Sequence, residues 1–235
     1  MRCLTIGDVH LKPKLFDMAD HILESGQADI AIQMGDLVDD WGEEFNIGLY
    51  ERTLKRAIKF RHDHPGSLWV LGNHCYGYLS SYGSRESGHS VMAEPFVRPL
   101  LSKLPQRVMH IVDGVIFTHA GLTREWVERQ LSLAGLDEAH LTEKDFVPLV
   151  NMAAPDELWL ESSPIWARPQ IDEYEMWPAK LQVVGHTPVK ELGVYNGCLS
   201  TDTFSTYRNG APYGDQKFAI IDTDTGEWKI AKEEL

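Results

Sequence analysis

No pair of cysteines in this chain has the spacing of a disulfide framework or a zinc knot. Cys3, Cys75 and Cys198 are an odd number, far apart in 235 residues, so each reads as a small core residue. No apolar run approaches the length that crosses a bilayer. No basic segment precedes the first apolar run. The expectation is a cytoplasmic protein with no membrane partner. Positive charge is also scarce: 22 Lys and Arg face 35 Asp and Glu, a formal net charge of −13. Such an excess disfavours extended DNA or RNA as a ligand. It leaves room for a phosphorylated substrate, because bound metal can supply a local positive field. Internal repeats and low-complexity runs are missing too. What remains is 43% hydrophobic and 24% charged, ordinary for one globular domain with a large core. The oligomeric state is not legible at this level.

The first part of the chain alternates strand and helix. Strands are expected at 2–7, 29–34 and 67–71. Helices are expected near 15–25 and 44–62, where apolar residues such as Leu15, Ala19 and Ile22 recur at helical spacing. This rhythm implies parallel strands with helices packed on them. Residues 76–90, rich in Gly, Ser and Tyr, read as a mobile loop. A short helix near 91–103 precedes two strands, 107–112 and 114–118, joined by the turn signal Asp113-Gly114. A helical, cap-like region is expected near 123–180, with strands resuming at 181–185, 191–195, 197–201, 217–222 and 227–232. The whole of 1–235 reads as a single domain.

Five short stretches carry the chemistry. They are Gly7-Asp8-Val9-His10, Gly35-Asp36-Leu37-Val38-Asp39, Gly72-Asn73-His74, Thr118-His119-Ala120-Gly121 and Gly185-His186-Thr187. Most follow an apolar run that reads as a strand. Asp, Asn and His at strand ends are costly in a packed core unless something satisfies them. A pair of divalent metal ions suits that mixture best. Asp8 and His10, two apart in an extended segment, point to one face and can chelate one ion. Asp36 offers two oxygens and can bridge a second. The ligand sets are Asp8, His10 and Asp36 for one ion, and Asp36, Asn73, His119 and His186 for the other. Three oxygen donors and three imidazoles favour Mn, with Zn, Fe, Ni or Mg as alternatives.

These motifs, in this order, resemble the calcineurin-like metallophosphoesterase family, and within it the small phosphoprotein phosphatase branch. That branch includes the bacteriophage-lambda type enzyme and bacterial diadenosine tetraphosphate hydrolases. The match spans residues 5–188. The resemblance implies an α/β fold, a four-layer α/β/β/α sandwich with two mixed β-sheets. It implies phosphomonoester hydrolysis by direct attack of a hydroxide bridging the two metals. His74 takes the place of the family's general acid, and Asp39 that of the carboxylate orienting it. Arg168, in the Trp166-Ala167-Arg168-Pro169 context, matches a phosphate-contacting arginine, and Asn73 is a second substrate contact.

One departure matters. The branch carries Arg and Gly after the second Asp of GDxVDRG, whereas this chain has Asp40 and Trp41. The missing arginine normally touches the substrate phosphate, and Asp40 is expected to repel a second negative charge. Arg85 is one conceivable replacement. Phosphoserine or phosphothreonine in a protein is the leading substrate. A nucleotide or dinucleoside polyphosphate hydrolase, or a phosphodiesterase, favoured by the lost arginine and by Tyr76, Tyr78 and Tyr82, is the alternative. A non-catalytic metal-binding scaffold is the third reading. The remaining histidines are read as structural or solvated; only His89 is placed to approach the site.

Overall fold

Alternation along the first strand already defines the layers. In the computed structural model, which describes residues 1–80 and 86–232, β1 (Arg2–Ile6) turns Cys3 toward one apolar cluster and Leu4 and Ile6 toward another. The first cluster also takes Ile32, Val115, Phe117, Val183, Leu199, Ala219 and Ile221, which come from two different sheets. It is therefore the seam where the sheets face each other. The second cluster joins Leu4, Ile6, Ala31, Ile116 and Ile220 to buried helix residues such as Phe16, Phe60, Trp126 and Phe146. Inward and outward residues follow the two-residue period of a strand. The result is helices outside two sheets packed on each other.

The first sheet contains β1, β2 (Ile30–Gln33), β3 (Leu68–Trp69), β9 (Ala219–Asp222) and β10 (Trp228–Ile230), in the order β10-β9-β1-β2-β3. The β1, β2 and β3 strands are parallel, and β9 and β10 are added antiparallel. Helices α1 (Lys14–Glu24) and α2 (Ile47–Asp63) make the crossovers. The second sheet contains β4 (Met109–Val112), β5 (Val115–Thr118), β6 (Leu181–Val184), β7 (Gly193–Tyr195) and β8 (Cys198–Ser200), in the order β4-β5-β6-β8-β7. It too is mixed: β5, β6 and β8 are parallel, and β4 and β7 are antiparallel edges. Over the second sheet lie α5 (Arg124–Ala134), α6 (Glu143–Asn151) and α7 (Pro155–Leu158), with a single 3-10 turn at Glu138–His140.

Local chemistry sets several boundaries. Helix α2 starts at residue 47 rather than 44, because the Asn46 side chain accepts from the Leu49 N–H and caps the first turn. Thr123 caps α5 the same way, and Gly135 ends it at φ 66°. The stretch expected as a loop from residue 76 is corrected in part. Helix α3 (Asn73–Leu79) runs through Tyr76, Gly77 and Tyr78. Gly and Tyr are weak helix formers, but Cys75, Tyr76 and Tyr78 are all buried there, and tertiary packing overrides propensity. Tyr82 and Arg85 lie outside the described residues. The next helix, α4 (Glu94–Leu101), is shorter than expected. All three cysteines are free and buried, and burial pushes the thiols of Cys3 and Cys198 up to about 12. Among the described residues no helix is long and apolar enough to cross a membrane.

Candidate metal centre

Every motif residue follows the carboxyl end of a strand, where open α/β sheets collect ligands. Asp8 and His10 follow β1, Asp36 follows β2, Asn73 and His74 open α3 just past β3, His119 follows β5 and His186 follows β6. His10, Asp36, Asp39 and His186 all have positive φ, between 39° and 64°. That backbone is uncommon outside glycine, and its concentration here marks a site held in place by its surroundings. Two motif glycines have a separate reason. A Cβ on Gly72 would land on the Asp36 carboxylate, and one on Gly185 would land on Asp8 Oδ1.

The donor atoms converge in two sets that share one carboxylate. His10, Asp36 and His74 offer donors within 4.8 Å of one another, as do Asp36, His119 and His186. In the second set Asn73 Oδ1 sits 2.9 Å from His119 Nε2 and 3.0 Å from His186 Nδ1, and Asp36 Oδ2 is 3.1 Å from His119 Nε2. Asp8 is placed differently from the others. Its Oδ2 is 3.9 Å from His10 Nε2, and both its oxygens accept the His186 backbone N–H, at 3.0 and 3.1 Å. It adjoins the first donor set without entering the 4.8 Å cluster.

The residues suit divalent cations. His10 Nδ1–H donates to the Asp39 carbonyl at 2.7 Å, and His119 Nδ1–H donates to the Met34 carbonyl at 2.8 Å. Each bond turns the Nε2 lone pair toward the centre, the usual outer support of a metal-binding histidine. His186 Nε2 is buried with no hydrogen-bond partner among the described residues. Burial keeps the His186 and His10 imidazoles toward neutral, the form that ligates. Burial and the nearby Asp202 carboxylate push Asp8 well above the ordinary carboxylate range. Asp36 is also buried, but the facing His119 and His74 override that and hold it low. Against its own burial, His119 is raised to about 9 by Asp36 and Asp8.

A cavity of about 250 Å³ opens on this centre. His74 is on its wall, with Nδ1–H donating to Asp39 Oδ2 at 2.9 Å, so its Nε2 is left for the cavity. Despite burial, Asp36 and Asp39 raise His74 above the ordinary imidazole value. Arg168 also lines the cavity, half-buried and without an ion pair among the described residues. Sequence reasoning missed several neighbours. Asp202 is fully buried on the cavity wall, past the end of β8, and accepts from Ser205 N and Oγ. Its one signal was an acidic residue just past the short apolar run Cys198–Ser200. Asp40 does not stand as a bare repulsive charge. Lys12 Nζ lies 2.7 Å from its Oδ2, and Thr206 Oγ1 and Trp41 N–H also donate to the carboxylate. His89 is not at the centre; it stacks on Tyr78 at 4.3 Å and pairs with Glu94 at 2.9 Å.

Comparison with known families decides the assignment, because the description of the calcineurin-like phosphoesterases matches residues 1–213. The chain belongs to that family. As a calcineurin-like phosphoesterase it is a metal-dependent hydrolase of phosphoric esters. Among solved structures it is similar to a metallophosphoesterase from Sphaerobacter thermophilus, at 14% identity and TM-score 0.43, over 100% of this chain and 89% of that one. It is also similar to YfcE, a phosphoesterase from E. coli, at 11% identity and TM-score 0.41, over 99% and 100% of the two chains. No curated protein matches the chain.

Proposed function

We propose that this phosphoesterase is a binuclear-metal phosphomonoesterase, with phosphoserine or phosphothreonine in a protein as its substrate. The carrying observation is that Asp36 belongs to both donor sets, with the His74–Asp39 pair on the wall of the same cavity. Asp8, His10 and Asp36 would hold one divalent ion; Asp36, Asn73, His119 and His186 would hold the other. Mn suits these donors, as do Zn, Fe, Ni or Mg. The ions, when bound, supply positive charge and the acidity that makes water a nucleophile near neutral pH.

The chain's own groups do the rest. His74 Nε2–H donates a proton to the leaving oxygen. Asp39 holds the ring through Nδ1 and favours its protonated form. Arg168, with no carboxylate partner among the described residues, binds phosphate oxygens through its planar fork. Asn73 is the second substrate contact. Lys12 neutralises Asp40, so the loss of the family arginine does not leave a net repulsive charge at that corner.

A second reading is a nucleotide or dinucleoside polyphosphate hydrolase. It is favoured by Trp41, 38% exposed at the cavity wall, with the Arg208 guanidinium 4.6 Å above its ring. An aromatic plane beside a cation suits a base and its phosphates. Chelated protein reloaded with Mn, Zn, Mg or Ni separately would be assayed on p-nitrophenyl phosphate and on bis-p-nitrophenyl phosphate, with Asp36→Asn as control. Metal-restored activity on the monoester that Asp36→Asn abolishes is expected. Preference for the diester would refute the monoesterase. Faster turnover of a dinucleoside polyphosphate than of a phosphopeptide would select the second reading.

A further inference from the structure

Two tyrosines that no motif contains sit on the carboxylate behind His74. Tyr50, in the first turn of α2, puts its hydroxyl 2.9 Å from Asp39 Oδ1, and Tyr78, near the end of α3, puts its own 2.6 Å from the same oxygen. His74 takes the other oxygen. Asp39 and Tyr50 are 0% exposed and Tyr78 is 1% exposed. Burial, with Asp39 beside them, pushes both phenols well above their ordinary value. The hydroxyls therefore keep their protons as donors to the carboxylate.

The pair is itself supported. The Ser90 N–H donates to the Tyr78 oxygen at 2.8 Å, and the His89 ring stacks on Tyr78. The Tyr50 oxygen also lies 3.1 Å from the Gly88 carbonyl, and the two phenol rings meet edge to face at 6.4 Å. A buried carboxylate held only by His74 could rotate about its own bond or exchange which oxygen faces the imidazole. Two donors on Oδ1 remove that freedom and leave Oδ2 as the His74 acceptor. Both donors come from outside the Gly35–Asp39 stretch, so the carboxylate is fixed by two helices.

We infer that Tyr50 and Tyr78 are positioning residues, which hold the Asp39 carboxylate so that His74 presents its Nε2–H to the leaving oxygen. This rests on the reading of His74 as the proton donor. The bond between phosphorus and the leaving oxygen breaks as phosphorus bonds to the oxygen of the attacking water. The proton moves from His74 Nε2 to the leaving oxygen, and the proton released by the water restores it.

Tyr50→Phe, Tyr78→Phe and the double variant keep both rings and remove only the hydroxyls. Each would be compared with His74→Asn on p-nitrophenyl phosphate and on phenyl phosphate, with metal content measured alongside. The p-nitrophenolate ion leaves with little help, whereas the phenolate ion needs a proton. In the double variant kcat should fall about tenfold on phenyl phosphate and less than about threefold on p-nitrophenyl phosphate, at unchanged metal content. His74→Asn should show the same split, larger. Equal losses on both esters in the tyrosine variants, no loss on phenyl phosphate, or loss of metal would each overturn the inference. If His74→Asn splits the esters and the tyrosine variants do not, the inference alone fails. If His74→Asn itself loses equally on both, the proton-donor reading falls and takes the inference with it.

Discussion

Replacing Gly185 by Ala should disable the centre through a single carbon atom. Gly185 has no positive φ, so the backbone tolerates alanine; the obstacle is contact alone. The new Cβ would fall on Asp8 Oδ1, the oxygen that accepts the His186 N–H at 3.1 Å. Asp8 would have to swing away, which also breaks the 3.0 Å bond to Oδ2. Overpacking a tight site costs about 1–3 kcal/mol. Leaving the buried His186 N–H without its acceptor costs about 1–3 kcal/mol more. The low end of the sum is about 2 kcal/mol, which for a chain of this size lowers Tm by about 4–8 °C. Gly26 is the control, with φ +73° and nothing within 4 Å of its Cβ position. There alanine meets only backbone strain, about 1–2 kcal/mol. Thermal unfolding in chelator and metal content after reloading would be measured for both variants. Gly185→Ala should lose more stability than Gly26→Ala and should bind less metal. Equal shifts in Tm with full metal content in both would refute the steric argument.

Two further outcomes are expected. Lys12→Met leaves the Asp40 carboxylate without its cation, and KM for an anionic monoester should rise about tenfold, 1.4 kcal/mol, with kcat little changed; Lys12→Met with Asp40→Asn should recover most of it in steady-state kinetics, and an unchanged KM in the single variant would argue against the pairing. On the far side of the second sheet, hydrogen bonds from Arg129 hold Glu157 below its ordinary 4.5. A depressed carboxylate stabilises the fold above its unfolded pKa and loses that contribution as pH falls through the folded one. Arg129→Met should therefore lower Tm at pH 7 and flatten its acid dependence between about pH 5 and 3; parallel curves for the two proteins would contradict this.

The strand ends were legible because most of the motifs couple a short apolar run to a polar residue that a core rejects. That logic reached Asp8, Asp36, Asn73, His119 and His186, which follow the strands at one edge of the sheets; of these, Asp36, Asn73 and His186 line the cavity. It did not reach Asp202, because β8 spans only Cys198–Ser200 and so short a run carries little pattern. Tyr78 was read as a base-stacking loop residue for a different reason. Its segment has the composition of a loop, and only burial against Asp39 and His89 makes a helix worthwhile. The Lys12–Asp40 pair joins positions 28 apart, so Asp40 looked repulsive when read beside its neighbours alone. Local pattern exposes backbone period and strand-end chemistry; it does not show which distant side chain neutralises which.

Asp36 has a thermodynamic consequence. On the proposed binuclear reading, both donor sets would draw on this one carboxylate, so filling either would change the free energy of filling the other, by the same factor in both directions. Loading is then a linked equilibrium rather than two independent ones. A preparation with half its metal need not hold half its activity. Its molecules divide among empty, singly and doubly loaded species in proportions set by that factor, and activity plotted against metal content should bend away from a straight line.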